Sequence, residues 1–409
     1  MADASKTQRY SREHQYELLE LTFYRLTDSG DVPDKTKWID MASMMEELDI
    51  YEDIMSNSVT GQMLVVDGFN MPDRLPIVGG ERLKVRFRTA SFEKEINQTM
   101  VIYKVGERMF SNNPDKAQMY WLFLCTEDAW NNAQLDVSFS SRGTYDSLIK
   151  KSLEKLNSKK TQDLQATNGI ASFIAPYWSP LKICSYAATR SVTDDGGPMF
   201  FWETTDAYML KSLDTMFKQA PQKKIFIEDR KGNSILEHAD KLFNTVMSWN
   251  YAASDDKLTQ NRNGDFGTDV YIMDTVNWNI SRQEVTKDSI DIIRIDKFPI
   301  TDSKWSGRSK TESVLSKPDG SEQSEVRKRL ILDKIDNKRI VVELPGDSSV
   351  HAGQLIDLDV PSMTGQLAYA TEKVASGNFL AASVRHILVR DRYKMNIELL
   401  KNATEKQVV

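Results

Sequence analysis

Apolar and polar residues alternate with period two along much of the N-terminal part of the chain. In YELLELTFYRL, residues 16–26, the odd positions Leu19, Leu21 and Phe23 and the even positions Leu18 and Tyr24 are all apolar, which predicts a strand covered on both faces. Acidic and apolar residues alternate in DIYEDIMSNSVTGQMLVVDGFN, residues 49–70, and Gly61 predicts a tight turn joining two strands. LKVRFRT, TMVIYKVGERMF and AQMYWLFLCTE follow, set apart by turn formers such as SNNPDK. About six strands at this spacing predict one closed or nearly closed antiparallel sheet.

One rhythm occurs twice. In GGERLKVRF (79–87) and AGQLIDLDV (352–360), Gly80 and Gly353 are each followed three, five and seven residues later by apolar side chains: Leu83, Val85 and Phe87, then Ile356, Leu358 and Val360. Pro72 and Pro345 stand eight residues before the two glycines. The shared frame is a turn, a loop, a glycine corner and a strand with one buried face.

In the middle of the chain the period changes. TYDSLIKKSLEKL puts Tyr145, Leu148, Ile149, Leu153 and Leu156 on one helical face, with Thr144 as N-cap. Ser179 followed by Pro180 predicts a second helix start. DAYMLKSLDTMFK gathers Met209, Leu210, Leu213, Met216 and Phe217 on a third helical stripe, and SILEHADKLFNTVM predicts a fourth helix. GGPMFFWETT reads as a hairpin arm and NRNGDFGTD as a turn. The polar segment 303–325, with Pro318 and Gly320, predicts a mobile loop, and 324–335 a short helix. KRIVVELPGD, GQLIDLDVPS, GNFLAASVRHILV and YKMNIELLK are four closing strands, enough for a second small barrel.

Composition adds mainly exclusions. With 409 residues, 40% hydrophobic and 27% charged, the chain can bury a substantial core in about two to four domains. A net charge of -6 gives no support to a broad phosphate-gripping surface. Cys125 and Cys184 lie in apolar surroundings and read as buried thiols of a reducing cytoplasm. The polar start lacks a signal-peptide core, and no stretch approaches the ~20 apolar residues of a membrane span.

Little in the sequence points to catalysis. His14, His238, His351 and His386 do not pair at metal-ligand spacing, and His386 alternates with Val384, Ala382 and Leu380 as a core histidine would. GDFG resembles a kinase magnesium motif without the rest of the kinase set. Carboxylate neighbours such as Glu46 and Glu47, or Asp255 and Asp256, are ordinary in an acidic chain. Trp178, Trp202, Trp249, Trp278 and Trp305 show no repeat and read as core anchors or interface residues. The expectation is a protein without catalytic, metal or cofactor residues, acting by holding surfaces together.

The string VVELPGDSSVHAGQLIDLDVPS, continued by SGNFLAASVRHILVRDRYKMNIELLK, resembles the end of baseplate hub proteins of contractile-tailed bacteriophages. Pro345, Gly346, Asp347, Gly353, Pro361, Gly377, Arg385 and His386 occupy that family's positions. NSVTGQMLVVDGFNMPDRLPIVGGERLKVRF is similar to the family's first barrel through Gly61, Asp67, Leu75, Pro76, Ile77, Gly79 and Glu81. APYWSPLKICSYAATRSV and GPMFFWETTDAYMLKSL look like the region joining the barrels, so the likeness runs over most of residues 15–402.

The resemblance implies an α+β fold, mainly β: a tube-like barrel at 15–130, an α+β region at 131–325 able to lend strands onward, and a second tube-like barrel at 326–405. It implies a homotrimeric hub between the sixfold tail tube and the threefold central spike, contacting other baseplate proteins. DNA would pass through its channel without specific binding, and the lumen would be polar and preferably acidic. The protein would belong to the virion, in the tail baseplate, after assembly in the host cytoplasm. The alternatives are the hub module of a related contractile injection machine, such as a type VI secretion spike, and a tail-associated cell-wall hydrolase.

Overall fold

The computed structural model describes residues 15–401, apart from 75–76, 91, 111–117, 195, 228–242, 254–266, 287–309, 316–325, 327, 330, 333–338 and 362–375. The fold is mainly β, with short helices concentrated in the middle of the chain.

The first strands are β1 (Tyr16–Tyr24), β2 (Ile39–Asp40), β3 (Met45–Asp53), β4 (Thr60–Asp67), β5 (Arg82–Thr89), β6 (Glu95–Phe110) and β7 (Gln118–Thr126), with a one-turn helix α1 (Met71–Arg74) before β5. Their inward positions, Leu48, Met63, Val85, Phe87 and Leu122 among them, form one core. In β1 a bulge between Leu18 and Glu20 turns Leu19 out to solvent, while Leu21 and Phe23 are buried on one face and Tyr24, stacked on Trp38, on the other. Gly61 lies inside β4 instead of in a turn. A Cβ there would come within 2.7 Å of the Asp49 carbonyl oxygen, so the glycine permits close strand approach.

The middle of the chain contains α2 (Glu127–Ala133), β8 (Ser140–Gly143), α3 (Tyr145–Leu156), β9 (Thr161–Leu164), β10 (Ala171–Ile174), α4 (Pro180–Arg190), β11 (Met199–Glu203), β12 (Ala207–Ser212) and α5 (Leu213–Lys218). The five apolar residues expected on α3 are all buried, Thr144 is its N-cap, and α4 starts at Pro180 behind Ser179. The expected helix through 206–218 begins only at Leu213. Ser212 caps it through Thr215 N, while the residues before it alternate Tyr208-in, Met209-out and pair with β11.

Beyond these lie β13 (Lys223–Phe226), β14 (Ser248–Ala253), β15 (Gly267–Asp274), β16 (Asn279–Thr286), β17 (Lys310–Leu315), β18 (Arg339–Pro345), β19 (Leu355–Asp359), β20 (Gly377–Val389) and β21 (Arg392–Leu400). The four closing strands fall where the sequence puts them. Within the segment expected to be a mobile loop, residues 310–315 are β17, held parallel to β15. Most of the fourth expected helix lies outside the described residues. Of the short one at 324–335, residues 326, 328–329 and 331–332 are helical.

Strand pairing reveals a duplication. One run is β3-β4-β7-β6-β5-β1 and the other is β14-β18-β21-β20-β19-β13, each strand of the first corresponding in chain order to one of the second. The correspondence matches β5 with β19, the two strands of the shared rhythm, and all six of its apolar residues are buried. It extends to an irregularity. Ile102 and Lys104 of β6 pair with consecutive residues of β7, leaving Tyr103 as a bulge, and Ala381 and Ser383 of β20 do the same against β21, leaving Ala382. The runs also differ: β1 is antiparallel to β5 whereas β13 is parallel to β19, and β6 has a second irregularity between Val105 and Arg108 that β20 lacks.

The two runs join in one 13-stranded sheet because β20 changes neighbours along its length. Residues 377–380 pair with β19, and residues 383–389 pair along the same edge with β3. Among the described residues no strand ladder closes either run into a ring; the ends meet only through a bridge from Phe226 of β13 to Thr245, just ahead of β14, and through β2, just ahead of β3, against β1.

Candidate functional site at the joint of the two runs

The motif residues serve three local structures. Asp67, fully buried at the end of β4, accepts hydrogen bonds from Phe69 N (2.7 Å) and Met71 N (2.6 Å), so its carboxylate organises the turn into α1. Glu81 folds back under the preceding loop, accepting from Gly79 N (2.9 Å), Val78 N (3.2 Å) and Arg25 (2.6 Å). Gly79 and Gly80 stand at φ +104° and +91°, which lets backbone amides wind round the carboxylate. Pro76 and Leu75 lie outside the described residues.

The second set gathers round Tyr393. Gly346 lies against its ring, and the Tyr393 hydroxyl is 2.7 Å from His386 Nδ1. Burial pushes the His386 imidazole down to about 4, so it is neutral, and its Nε2 has no hydrogen-bond partner. Burial alone would raise the Asp347 carboxyl, but Lys223 at 2.5 Å and the Ser349 N–H and O–H outweigh it and hold it below the usual range. Gly353 (φ +88°) gives its N–H to Ala381 O and faces Trp202, whose indole N–H donates to Ala352 O at 3.2 Å. Pro361 follows β19 half-buried, and Gly377 opens β20 at φ +117°.

A polar cluster that the motif did not contain connects these parts. Glu52 of β3, only 1% exposed, accepts from Thr205 N (2.7 Å), Thr205 Oγ1 (2.9 Å), Ala352 N (3.0 Å) and His351 Nδ1 (3.1 Å). Thus one carboxylate ties β3, the β11–β12 turn and the loop before β19. Burial opposes its ionisation, yet the His351 charge and these donors lower it to about 2. The His351 ring is lifted to about 9: burial and Lys94 resist the proton, and Glu52 and Asp206 hold it. Lys94 Nζ reaches the same Asp206 oxygen at 2.8 Å. The Pro-Gly-Asp loop is also bound to the β5–β6 turn, through Ser348 N to Thr89 Oγ1 (2.9 Å) and Ser348 Oγ to Lys94 O (2.7 Å).

Glu203 ties the middle of the chain to the first run in the same way. It accepts from Val59 N (2.9 Å) and Thr126 Oγ1 (3.0 Å) and meets Lys160 Nζ at 2.8 Å, while burial outweighs the lysine and raises its carboxyl. Glu52 and Glu203, like Asp67 and Glu81, hold backbone amides, whereas His386 meets the Tyr393 hydroxyl. Among the described residues no group of His, Cys, Asp or Glu has metal-binding geometry. A cavity of about 280 Å³ between Met55, Ala188 and Phe200 has Asn57, Ser185, Thr189 and Lys328 as its polar lining, and no described carboxylate. Sequence reasoning passed over Glu52, although Leu48, Ile50 and Ile54 share its parity and mark it as an acid on the inward side of a strand.

No family model and no curated protein matches the chain. Solved structures do. The tail protein from Neisseria meningitidis MC58 is similar with TM-score 0.60 at 13% identity, over 96% of this chain and 98% of that one. The chain shares a tail-protein fold. The 43 kDa tail protein of prophage MuSo2 from Shewanella oneidensis gives TM-score 0.57 at 10% identity, covering 94% of this chain and 98% of that one. A chain of the half-lidded Francisella PdpA-VgrG complex gives 0.51 at 8% identity, covering 99% of this chain but 62% of the other. This agrees with the resemblance drawn from the motifs, and both tail proteins match from end to end.

Proposed function

We propose that the protein is a structural component of a phage tail baseplate: a homotrimeric hub that adapts the sixfold tail tube to the threefold central spike and forms part of the DNA ejection channel. The observation that carries this reading is the internal duplication, in a chain with a tail-protein fold. Three chains with two equivalent runs each offer six equivalent surfaces to a sixfold tube while keeping threefold symmetry for a spike. On this reading each run is a tube-like barrel completed in the assembly, the first at 15–130. The second, at 326–405, borrows β13 and β14 from the region between. The motif residues shape the loops, and no residue is assigned to catalysis.

The hub module of a related contractile injection system is the second reading, favoured by the likeness to the PdpA-VgrG chain. Reconstitution tests both. The protein is mixed with tail tube and spike proteins from the same source, and the complex is imaged by electron cryomicroscopy. A threefold ring with six similar barrels between tube and spike supports the hub. A monomer that binds neither partner overturns both readings.

A further inference from the structure

The joint inside the chain indicates how two chains meet. β20 carries β19 on one edge as far as residue 380, a bulge at Ala382, and then β3 along residues 383–389. At the bulge, Ile54 N donates to Ala382 O at 3.0 Å, so the irregularity is part of the joint. The strand corresponding to β20 is β6. It carries β5 as far as Val101, a bulge at Tyr103 and a second irregularity between Val105 and Arg108 that β20 lacks, and beyond Val101, among the described strands, no partner on that edge as far as residue 110. The strand corresponding to β3 is β14, whose one partner strand among those described is β18.

From this we infer that β6 of one copy pairs with β14 of a second copy, repeating between chains the β20–β3 pairing made within one. The occupant is this same chain because it alone is shown to carry the matching strand, in matching order, beside a matching bulge. Register follows from the correspondence. Ile387 faces Asp49 in the internal joint; through their shared neighbours in β7, β21, β4 and β18, Met109 corresponds to Ile387 and Asn250 to Asp49. Met109 therefore faces Asn250 of the next copy. Both are exposed, Met109 to 52%, as is Tyr103 at the bulge to 49%. The contact is head-to-tail, so copies add until the ring closes, and a long strand edge is hidden from other chains.

The inference rests on the hub reading, since a ring of copies is what it builds. Its test is disulfide trapping of Met109→Cys and Asn250→Cys in the full chain, with light scattering on the unmodified protein. Cysteines in directly opposed antiparallel positions stand within bridging distance. The expected results are covalent dimers when the two single variants are mixed and oligomers up to the closed ring from the double variant. Each single variant alone should give no crosslink, and amides 103–110 and 248–253 should be protected from hydrogen exchange in the oligomer. A trimer with no crosslink and unprotected edges overturns this interface and leaves the hub reading standing. Crosslinking of Met109→Cys to itself overturns the head-to-tail geometry. A protein that stays monomeric with tube and spike proteins present overturns the interface and the hub together.

Discussion

Gly346 rests on the face of Tyr393: a Cβ built on Gly346 would lie 2.1 Å from the ring Cγ, and the Gly346 N–H donates to Tyr393 O at 2.9 Å. The aromatic ring thus occupies the place of a side chain, and the Pro-Gly-Asp motif is a packing requirement. Gly346→Ala should lower stability by at least about 1–3 kcal/mol, measured as a fall in the urea midpoint with unchanged slope. Gly353→Ala should cost at least as much, because it adds an unfavourable positive φ to a 2.3 Å clash with Trp202.

Removing the central carboxylate should be more damaging. Glu52→Gln keeps the shape but takes away the partner of a buried imidazolium, a change on the order of 3–5 kcal/mol. Limited proteolysis should then cut near the β11–β12 turn and the loop before β19, the two places that Glu52 ties to β3. Wild-type resistance in the variant would remove Glu52 from this role.

Stability should fall on both sides of neutrality. His386 titrates at about 4 in the fold against 6.5 unfolded, so stability is lost as pH falls from 6.5 to 4, by roughly 3 kcal/mol. Glu52, at about 2 against 4.5, adds a loss that begins below 4.5 and is complete below 2. His351, at about 9 against 6.5, contributes fully below 6.5 and loses its contribution as pH rises through 9. Urea midpoints across pH should peak near 6.5, and His386→Gln should flatten the limb between 6.5 and 4. An unaltered limb in that variant would assign the acid loss to other groups.

The two thiols should be unreactive in the fold. Burial pushes Cys125 up to about 11 and Cys184 higher still, and both are free. Titration with a disulfide reagent at pH 8 should label both rapidly only after denaturation. Cys125, half-buried where the sequence implied full burial, should react before Cys184.

The parts of this fold that were legible in sequence are those governed by local periodicity. α3 is fixed by five apolar residues at helical spacing behind a threonine cap, and the last four strands by alternation between glycines and prolines. Residues 206–218 misled because Met209 and Leu210 satisfy both periods, and pairing with β11 decided between them. The repeat appeared as a single matched strand. Its full extent needed the pairings, because corresponding strands share topology with little side-chain identity, as with Gly61 opposite Leu124 and Ile340 opposite Leu399. The Glu52–His351 contact joins residues 299 positions apart, a separation that periodicity does not register.

The change of neighbours along β20 has a mechanical consequence. A flexible linker between the two runs would let each tilt on its own and absorb an applied load. Here one continuous strand is laced to both, so an axial push on either must shear several backbone hydrogen bonds together before the halves can slip. The joint therefore resists slippage of one run past the other.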